Sequence, residues 1–370
     1  MDPSRWERAG LYDPARPDAA ERLELLEHLA ERGASLDEMV DAARLGGLAE
    51  LAGRLLRRRG AGTVPVEVLA DRHGTTVDTV RRILLAAGLP ASAGTDVPAE
   101  LEVLVSAFVH GVALMGEEPL LAFTRVLGAA AINIAEAAVA LFYAELGPGS
   151  ERDPGSELGR ARMSERATLA FSVVPEAFSR LLEVQFERAI ERAAAARGLG
   201  SADPDAERVA LGFVDLVGST EWASRLDLRE QSLALSRFEA TAWSSAVLAG
   251  GRVVKMVGDE AFFAAPSVDA ACRIATEVIA WVAADPVLPS ARGAVGVGSA
   301  SSREGDYFGP VVNLVSRLVK AARPGSVLLT ADAAAEIEDP ELDLRPVGPV
   351  AVRGVAEPVP AFALEVREGT

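Results

Sequence analysis

Cysteine and histidine are scarce in this chain of 370 residues, which has one cysteine, Cys272, and three histidines, all in its first half. A single cysteine excludes a disulfide within the chain and is typical of a reducing compartment. The N-terminus lacks the basic start and apolar core of a signal peptide. A membrane span needs about 20 uninterrupted apolar residues, but Asn133 and Glu136 interrupt the most apolar stretch, residues 126–144. We therefore expect a cytoplasmic protein without a membrane span.

Lysine is nearly absent, because Lys255 and Lys320 are the two lysines among 37 basic residues. Lysine is a compact point charge and arginine a wide planar donor. A lysine in such a chain therefore indicates a position that arginine cannot fill, with chance as the alternative. The 54 acidic residues give a net charge of −17, and both halves of the chain are acidic. Because duplex binding depends on a basic face that neutralises phosphates, this balance disfavours general nucleic-acid binding.

The first 200 residues have the pattern of an all-α domain. Apolar residues recur at helical spacing over residues 18–58. Residues 64–90 have the pattern of a helix-turn-helix, in which residues 75–82 are the candidate for DNA recognition. The segment carries as many acidic as basic side chains, and this favours a packing module over a DNA-binding one.

The rest of this half is also predicted to be helical. Residues 100–146 predict two or three very apolar helices that form a core, a dimer interface or a lipid-lined pocket, with a core or dimer contact favoured. Residues 147–159 are rich in Gly, Pro and Ser and predict a loop. A long amphipathic helix over about 174–198 then leads to residues 198–205, the best candidate for a domain boundary.

Residues 206–370 alternate between short strands and helices, which predicts an α+β sandwich with one sheet. Gly258-Asp259 lies between two apolar runs and is the clearest hairpin turn in the chain. The predicted strands are 209–216, 252–258, 260–266, 292–300, 326–331 and 361–366. The predicted helices are about 227–248, 267–284 and 309–322.

Two aspartates in this half are candidate metal ligands. Asp215 ends an apolar strand and precedes the small-residue turn Gly218, Ser219 and Thr220, and Asp259 lies at the hairpin tip. If strands 209–216 and 252–258 are neighbours, both carboxylates reach one sheet edge, where they can hold divalent ions while the turn amides contact phosphate. A turn-forming role explains Asp215 equally well when it is considered alone.

A third segment carries polar residues on one helix face. Gly309-Pro310 predicts a helix start, and Asn313 and Arg317 are four residues apart, so they share a face. An amide and a guanidinium placed together can hold a sugar oxygen and a phosphoryl transition state. The alternative is an ordinary polar helix face.

The three segments together resemble the catalytic domain of the class III nucleotidyl cyclases, over about residues 206–370. The resemblance is carried by FVDLVGST (213–220), VVKMVGDEAFF (253–263) and GDYFGPVVNLVSRL (305–318). It implies a ferredoxin-like sandwich with two Mg²⁺ or Mn²⁺ ions per active site. The roles that it implies are metal binding by Asp215 and Asp259, adenine recognition by Lys255 and Asp306, transition-state stabilisation by Asn313 and Arg317, and phosphate binding by Arg353.

The family activity implied by this resemblance is conversion of ATP to 3′,5′-cyclic AMP and pyrophosphate. The reaction is an in-line attack of the ribose 3′-hydroxyl, at sites shared across a head-to-tail homodimer. Residues 1–200 resemble, by pattern alone, the regulatory domain of two-domain actinobacterial adenylyl cyclases, some of which respond to pH or bind fatty acid. Two alternatives stay open: a catalytically silent nucleotide sensor with a DNA-binding N-terminal module, and a guanylyl cyclase, which Lys255 and Asp306 oppose.

Overall fold

A computed structural model describes residues 3–58, 62–91, 94, 96–198, 207–355 and 357–365. The chain divides into two compact units, Met1–Glu183 and Val184–Thr370. The division falls within the long helix predicted over about 174–198, which the structure contains. The predicted boundary at residues 198–205 lies outside the described residues, apart from Gly198.

The first unit is helical, as its apolar spacing predicts, with one short antiparallel ribbon added. Side-chain caps begin several helices: Ser35 forms a reciprocal capping box with Glu38, and Thr76 accepts from the amide of Thr79. The helices are α1 (Ser4–Arg8), α2 (Ala19–Glu31), α3 (Leu36–Arg44), α4 (Leu51–Arg58), α5 (Val66–Arg72), α6 (Val77–Ala86), α7 (Glu102–Met115), α8 (Glu117–Leu146), α9 (Glu157–Phe171) and α10 (Val174–Gly198). The ribbon pairs β1 (Thr63–Pro65) with β2 (Asp96–Pro98).

Two apolar clusters hold the first unit together. One surrounds Trp6 and the leucines of α2 and includes Ala161 of α9. The other joins the helix-turn-helix pair α5 and α6 to α7 and α8 through residues such as Ile83 and Phe108. The arginines of the pair are engaged within the chain, because Arg72 contacts Glu102 and Arg82 contacts Glu117. These contacts are those of a packing module.

One prediction for this unit is wrong. Residues 157–159, predicted as loop, begin helix α9, which Ser156 caps by accepting from the amide of Gly159.

Helix α8 lies in the stretch for which a core or dimer contact is favoured, and within one chain almost none of its most apolar 18 residues are buried. Most of α8 is therefore outside the core of its own chain, and a dimer contact stays a prediction. By length and composition, α8 is the one helix among the described residues that could cross a membrane. The absence of a membrane span therefore stays a prediction.

The second unit is an α+β sandwich around one sheet, which confirms the predicted fold class. Its strands are β3 (Glu207–Leu216), β4 (Arg252–Val257), β5 (Glu260–Ala265), β6 (Ala291–Arg303), β7 (Asp306–Phe308), β8 (Ser326–Thr330), β9 (Leu344–Val350) and β10 (Val359–Glu365). Its helices are α11 (Ser219–Ala223), α12 (Leu228–Leu248), α13 (Val268–Ala284), α14 (Pro310–Leu318) and α15 (Ala331–Ala334). Strands β7 and β9 were not predicted.

The sheet order is β4-β5-β3-β6-β8-β10-β9, with β7 paired to β6. All pairs are antiparallel except β6 with β8. Strand β3 is covered on both faces because its side chains alternate: Val214 packs with α12 and α13, whereas Phe213 packs with α14. This double burial explains why its sequence is a continuous apolar run.

Strands β3 and β4 are not neighbours in the sheet. Strand β5 lies between them and pairs with both β3 and β4. A two-residue turn links β4 to β5, so the strand that enters the sheet beside β3 is the one that follows Asp259. The tip of the hairpin lies beside the end of β3 all the same. Asp215 and Asp259 therefore converge even though β5 separates their strands.

Candidate active site

Three carboxylates lie where β3 ends beside the β4–β5 turn. Asp215 of β3 is in register with Glu260, the first residue of β5. The amide of Leu216 donates to the carbonyl oxygen of Asp259 at 3.2 Å, which ties the turn to the strand end. The topology therefore brings both predicted metal ligands to one edge and adds Glu260, which the sequence did not single out.

Asp215 is buried, with 3% of the residue exposed, and two cations contact it. Arg292 of β6 donates from Nε to Asp215 Oδ2 at 2.9 Å, and Lys320 Nζ donates to Oδ1. The same ammonium lies 2.7 Å from Glu260 Oε2. Arg292 also donates to the backbone oxygen of Lys320 at 2.8 Å. A buried charge needs such partners, because an isolated one is very costly to remove from water.

The electrostatics of this cluster follow from burial and close packing of charge. Burial raises the pKa of Glu260 above its usual value; Lys320 opposes that shift, and the charges of Asp215 and Asp259 add to it. Burial lowers the pKa of Lys320, but its hydrogen bonds to Asp215 and Glu260 outweigh that effect and the net shift is upward. The ammonium is therefore held in its charged form between the two carboxylates.

The oxygen donors at this edge fit a hard divalent cation. Mg²⁺ typically takes one or two protein carboxylates and completes its shell with water and substrate phosphates. Asp215 and Asp259 supply that number. Among the described residues, no group of three or more His, Cys, Asp or Glu side chains is arranged to hold a metal by itself. The pair suits an ion that arrives with a phosphorylated substrate.

The predicted adenine-reading pair is in contact. Lys255 of β4 donates from Nζ to Asp306 Oδ2, and the other oxygen of Asp306 accepts from the amide of Tyr307 at 2.8 Å. The ammonium also lies 5.9 Å from the ring centroid of Phe262. The two residues are 51 positions apart in the chain, so only the pairing of β6 with β7 and the hairpin β4–β5 brings them together.

The predicted transition-state residues lie on one exposed helix face. Helix α14 begins after Gly309 with Pro310 in its first turn, and it presents both Asn313 and Arg317 to solvent. Arg317 donates from Nη1 to the carbonyl oxygen of Gly354 at 3.1 Å. In the part of the chain that the structure describes, no hydrogen bond or ion pair links either side chain to the carboxylate edge.

The predicted phosphate-binding residues are separate from one another. Arg353 is exposed in the segment between β9 and β10. Gly218 adopts a left-handed conformation with φ of 70° and precedes the short helix α11 with Ser219 and Thr220. The amide of Val217, beside this turn, already donates to the carbonyl oxygen of Ser290 at 2.7 Å.

Arg292, Glu260 and Lys320 were not predicted as site residues. For Lys320 a sequence clue existed, since it is one of two lysines in a chain rich in arginine. Each of the two lysines contacts the carboxylate of a predicted site residue, Lys255 that of Asp306 and Lys320 that of Asp215. Arg292 gave no such clue, because a single arginine in a strand has many ordinary explanations.

No family model matches the chain. An uncharacterized protein of Mycobacterium tuberculosis is 31% identical over 369 residues, 98% of this chain and 94% of its own length. A pH-sensitive adenylate cyclase of the same species is 28% identical over 366 residues, 95% of this chain and 89% of its own length. The crystal structure of an adenylyl cyclase from P. aeruginosa aligns with 24% identity and a TM-score of 0.38, covering 43% of this chain and 95% of that one.

The second unit is an α+β sandwich in which Asp215 and the turn of Asp259 meet and Lys255 contacts Asp306. The chain belongs to the class III nucleotidyl cyclase family. The two M. tuberculosis relatives match it over both units.

Proposed function

We propose that this protein is an adenylyl cyclase, which converts ATP to 3′,5′-cyclic AMP and pyrophosphate. The observation that carries the proposal is the contact between Lys255 and Asp306, in the same unit in which Asp215 and the turn of Asp259 meet at the end of β3. Lysine donates to adenine N1 and aspartate accepts from the exocyclic amine, whereas guanine offers the reverse pattern. A mismatched buried donor or acceptor costs about 1–3 kcal/mol, so two wrong pairings favour ATP over GTP.

Each group of residues has one task in this reaction. Asp215 and Asp259 hold two Mg²⁺ or Mn²⁺ ions, and Lys255 and Asp306 release each other to bind the adenine edge. The ions, when bound, lower the pKa of the ribose 3′-hydroxyl and neutralise charge on the phosphates. Asn313 orients the ribose.

Two further groups act on the phosphates. Arg317 stabilises the charge that develops during in-line attack on the α-phosphorus. We assign phosphate contacts to Arg353 and to the turn of Gly218, Ser219 and Thr220. Arg353 is supported by its exposure, and the turn by its place directly after Asp215.

We propose that two chains share each site in a head-to-tail homodimer. Within one chain Asn313 and Arg317 are exposed, and Arg317 contacts only a backbone carbonyl of its own chain among the interactions described. A second copy supplies them, together with its own adenine-reading pair, to the two aspartates of the first chain. A further support is the largely exposed apolar surface of α8, with Phe123 and Ile132, which a second chain can cover.

The direct test measures cyclic nucleotide formed by the full chain given ATP or GTP with Mg²⁺ or Mn²⁺. We expect cyclic AMP from ATP, little product from GTP, and no product from Asp259→Asn. Product from GTP alone identifies a guanylyl cyclase. No product from either nucleotide, with folded protein, favours a nucleotide sensor and contradicts the proposal.

Complementation tests the shared site. Asp259→Asn and Arg317→Ala should each be inactive, and an equal mixture of the two should recover about a quarter of wild-type activity, because half of randomly paired dimers contain one intact site. Asp259 is the better aspartate for this test, since it has no ion pair among the described contacts. Two folded variants that form mixed dimers and yet stay inactive would contradict the shared site.

We further propose that the first unit regulates the cyclase and binds an amphiphile such as a fatty acid. A cavity of about 300 Å³ has apolar walls from α8 and α9, including Val139, Phe142 and Phe171. Arg54 and Arg57 of α4 line the same cavity and outnumber its one acidic side chain, Glu50. Apolar walls with a few convergent polar groups are typical of ligand sites, and this combination fits a chain with an anionic head.

A filled cavity tests the amphiphile proposal. Ala138 lines the cavity, whereas Leu141 of the same helix does not. We expect Ala138→Trp to abolish binding of a fluorescent fatty acid to delipidated protein, with Leu141→Trp as the matched control. Equal binding by both variants, or none by the wild type, would contradict the cavity as the lipid site.

A further inference from the structure

Lys320 is the second of the two lysines, and the proposed reaction gives it no role. It lies on the one-turn 3₁₀-helix Val319–Ala321, directly after α14. Its ammonium contacts Asp215 Oδ1 and lies 2.7 Å from Glu260 Oε2. A single charge therefore bridges a proposed metal ligand and the carboxylate paired with it across the strands.

The two cations on Asp215 are held very differently. Arg292 has 20% of its side chain exposed and uses its guanidinium both for Asp215 Oδ2 and for the backbone oxygen of Lys320. Lys320 has 51% of its side chain exposed and meets the carboxylates with one atom at the end of a flexible stem. Arg292 is thus a fixed partner, and Lys320 is the cation that can leave towards solvent.

We propose that Lys320 is a tethered counter-ion that occupies Asp215 in the metal-free protein and must be displaced when the metal binds. This inference rests on the proposed function, since it takes Asp215 as a metal ligand. Displacement costs the contacts of the ammonium with two carboxylates, and a positive charge beside a divalent ion repels it. Lys320 therefore stabilises the empty site and lowers its affinity for the metal.

The choice of lysine fits this role. Arginine would hold a carboxylate with two parallel hydrogen bonds and would leave it less readily, whereas a lysine makes a single point contact. At this position the chain departs from its near-universal use of arginine. A removable cation also keeps Asp215 and Glu260 from facing each other uncompensated while the metal is absent.

The experiment measures Mn²⁺ binding to the full chain without nucleotide, from the electron paramagnetic resonance of free Mn²⁺. The variants are Lys320→Met, which removes the charge, and Lys320→Arg, which keeps it. Arg323→Met is the matched control, because it removes one exposed positive charge three residues away. Thermal unfolding of each variant in EDTA and in Mn²⁺ provides a second readout, and Lys320→Gln replaces Lys320→Met if that variant does not fold.

We expect Lys320→Met to bind Mn²⁺ about fivefold to tenfold more tightly than the wild type. Lys320→Arg should show no gain, and Arg323→Met should stay within about twofold of the wild type. Lys320→Met should also melt lower than the wild type in EDTA and gain more from Mn²⁺.

The results separate this inference from the proposed function. Wild-type binding that Asp259→Asn abolishes and Lys320→Met leaves unchanged or weaker overturns the tethered counter-ion and leaves the metal site standing. Absence of Mn²⁺ binding in both the wild type and Lys320→Met overturns the tethered counter-ion, whereas the proposed function is tested separately by cyclic AMP formation from ATP. Tighter binding in Lys320→Met and Arg323→Met alike reduces the effect to net charge and also overturns the specific role of Lys320.

Discussion

Neutralising the two aspartates of the metal edge should have equal effects on turnover and unequal effects on stability. Asp215 is 3% exposed and holds Arg292 and Lys320, whereas Asp259 is partly exposed at a hairpin tip. Asp215→Asn removes the carboxylate charge between two cations. Asp259→Asn removes a charge that no described ion pair uses. Both changes remove a proposed metal ligand, so both should abolish cyclic AMP formation.

The size of the stability difference follows from the contacts. Removing one partner of a buried ion pair costs about 3–5 kcal/mol. Two features reduce this cost: Lys320 is 51% exposed, and the change also relieves repulsion between Asp215 and Glu260. We therefore expect Asp215→Asn to lower the free energy of unfolding by about 2 kcal/mol. For a unit of this size that corresponds to a melting temperature lower by about 4–8 °C.

Thermal unfolding in EDTA, followed by tryptophan fluorescence, measures this difference in the right part of the chain. Trp222, Trp243 and Trp281 lie in the second unit, and only Trp6 lies in the first. We expect Asp259→Asn to melt within about 1 °C of the wild type, as an exposed substitution should. Equal shifts for the two variants, or no shift for Asp215→Asn, would refute the ion-pair reasoning.

Three further predictions concern other parts of the molecule. Lys255→Met should lower kcat/KM for ATP by about tenfold to a hundredfold, because Asp306 and adenine N1 each lose a partner. Steady-state assays with ATP and GTP measure this change, and an unchanged kcat/KM contradicts adenine recognition by Lys255. Burial lowers the pKa of His28 below its usual 6.5, so the unfolded chain binds protons more readily and stability falls as pH drops below about 6.5. His28→Gln should weaken that dependence in urea melts between pH 5 and 7.5. An unfolding free energy that depends on pH as steeply in His28→Gln as in the wild type contradicts this prediction. Gly53→Ala should destabilise the first unit by about 1–3 kcal/mol, since the added methyl group on α4 would lie 2.5 Å from Ser164 Oγ on α9. A denaturation midpoint equal to that of the wild type contradicts this prediction and shows that the two helices move apart without cost.

The local patterns were sufficient to predict most helices and strands. Apolar residues at helical spacing indicated the helical first unit, and the apolar run of residues 209–216 indicated a strand. The turn Gly258-Asp259 indicated its hairpin. Residues 157–171 were harder to predict because their helix carries charges on most sides and follows a Gly- and Pro-rich segment. The outer strand β9 contains two prolines and one glycine within four residues, Pro346, Gly348 and Pro349, and such a sequence does not have a strand pattern.

The sequence by itself determined the identity of the chemical groups, and the tertiary structure decided how they meet. Spacing along the chain indicated Asp215, Asp259, Asn313 and Arg317, because each belongs to a short local motif. No local pattern could show that β5 rather than β4 borders β3, since strand order depends on long-range pairing.

The partners of Asp215 were equally beyond the sequence. Arg292 is 77 residues from Asp215 and Lys320 is 105 residues away, so only the packed sheet and the helix on it place those charges together. The exposure of α8 was likewise decided by tertiary packing. An apolar helix has the same sequence pattern whether its own chain buries it or leaves it exposed to a partner.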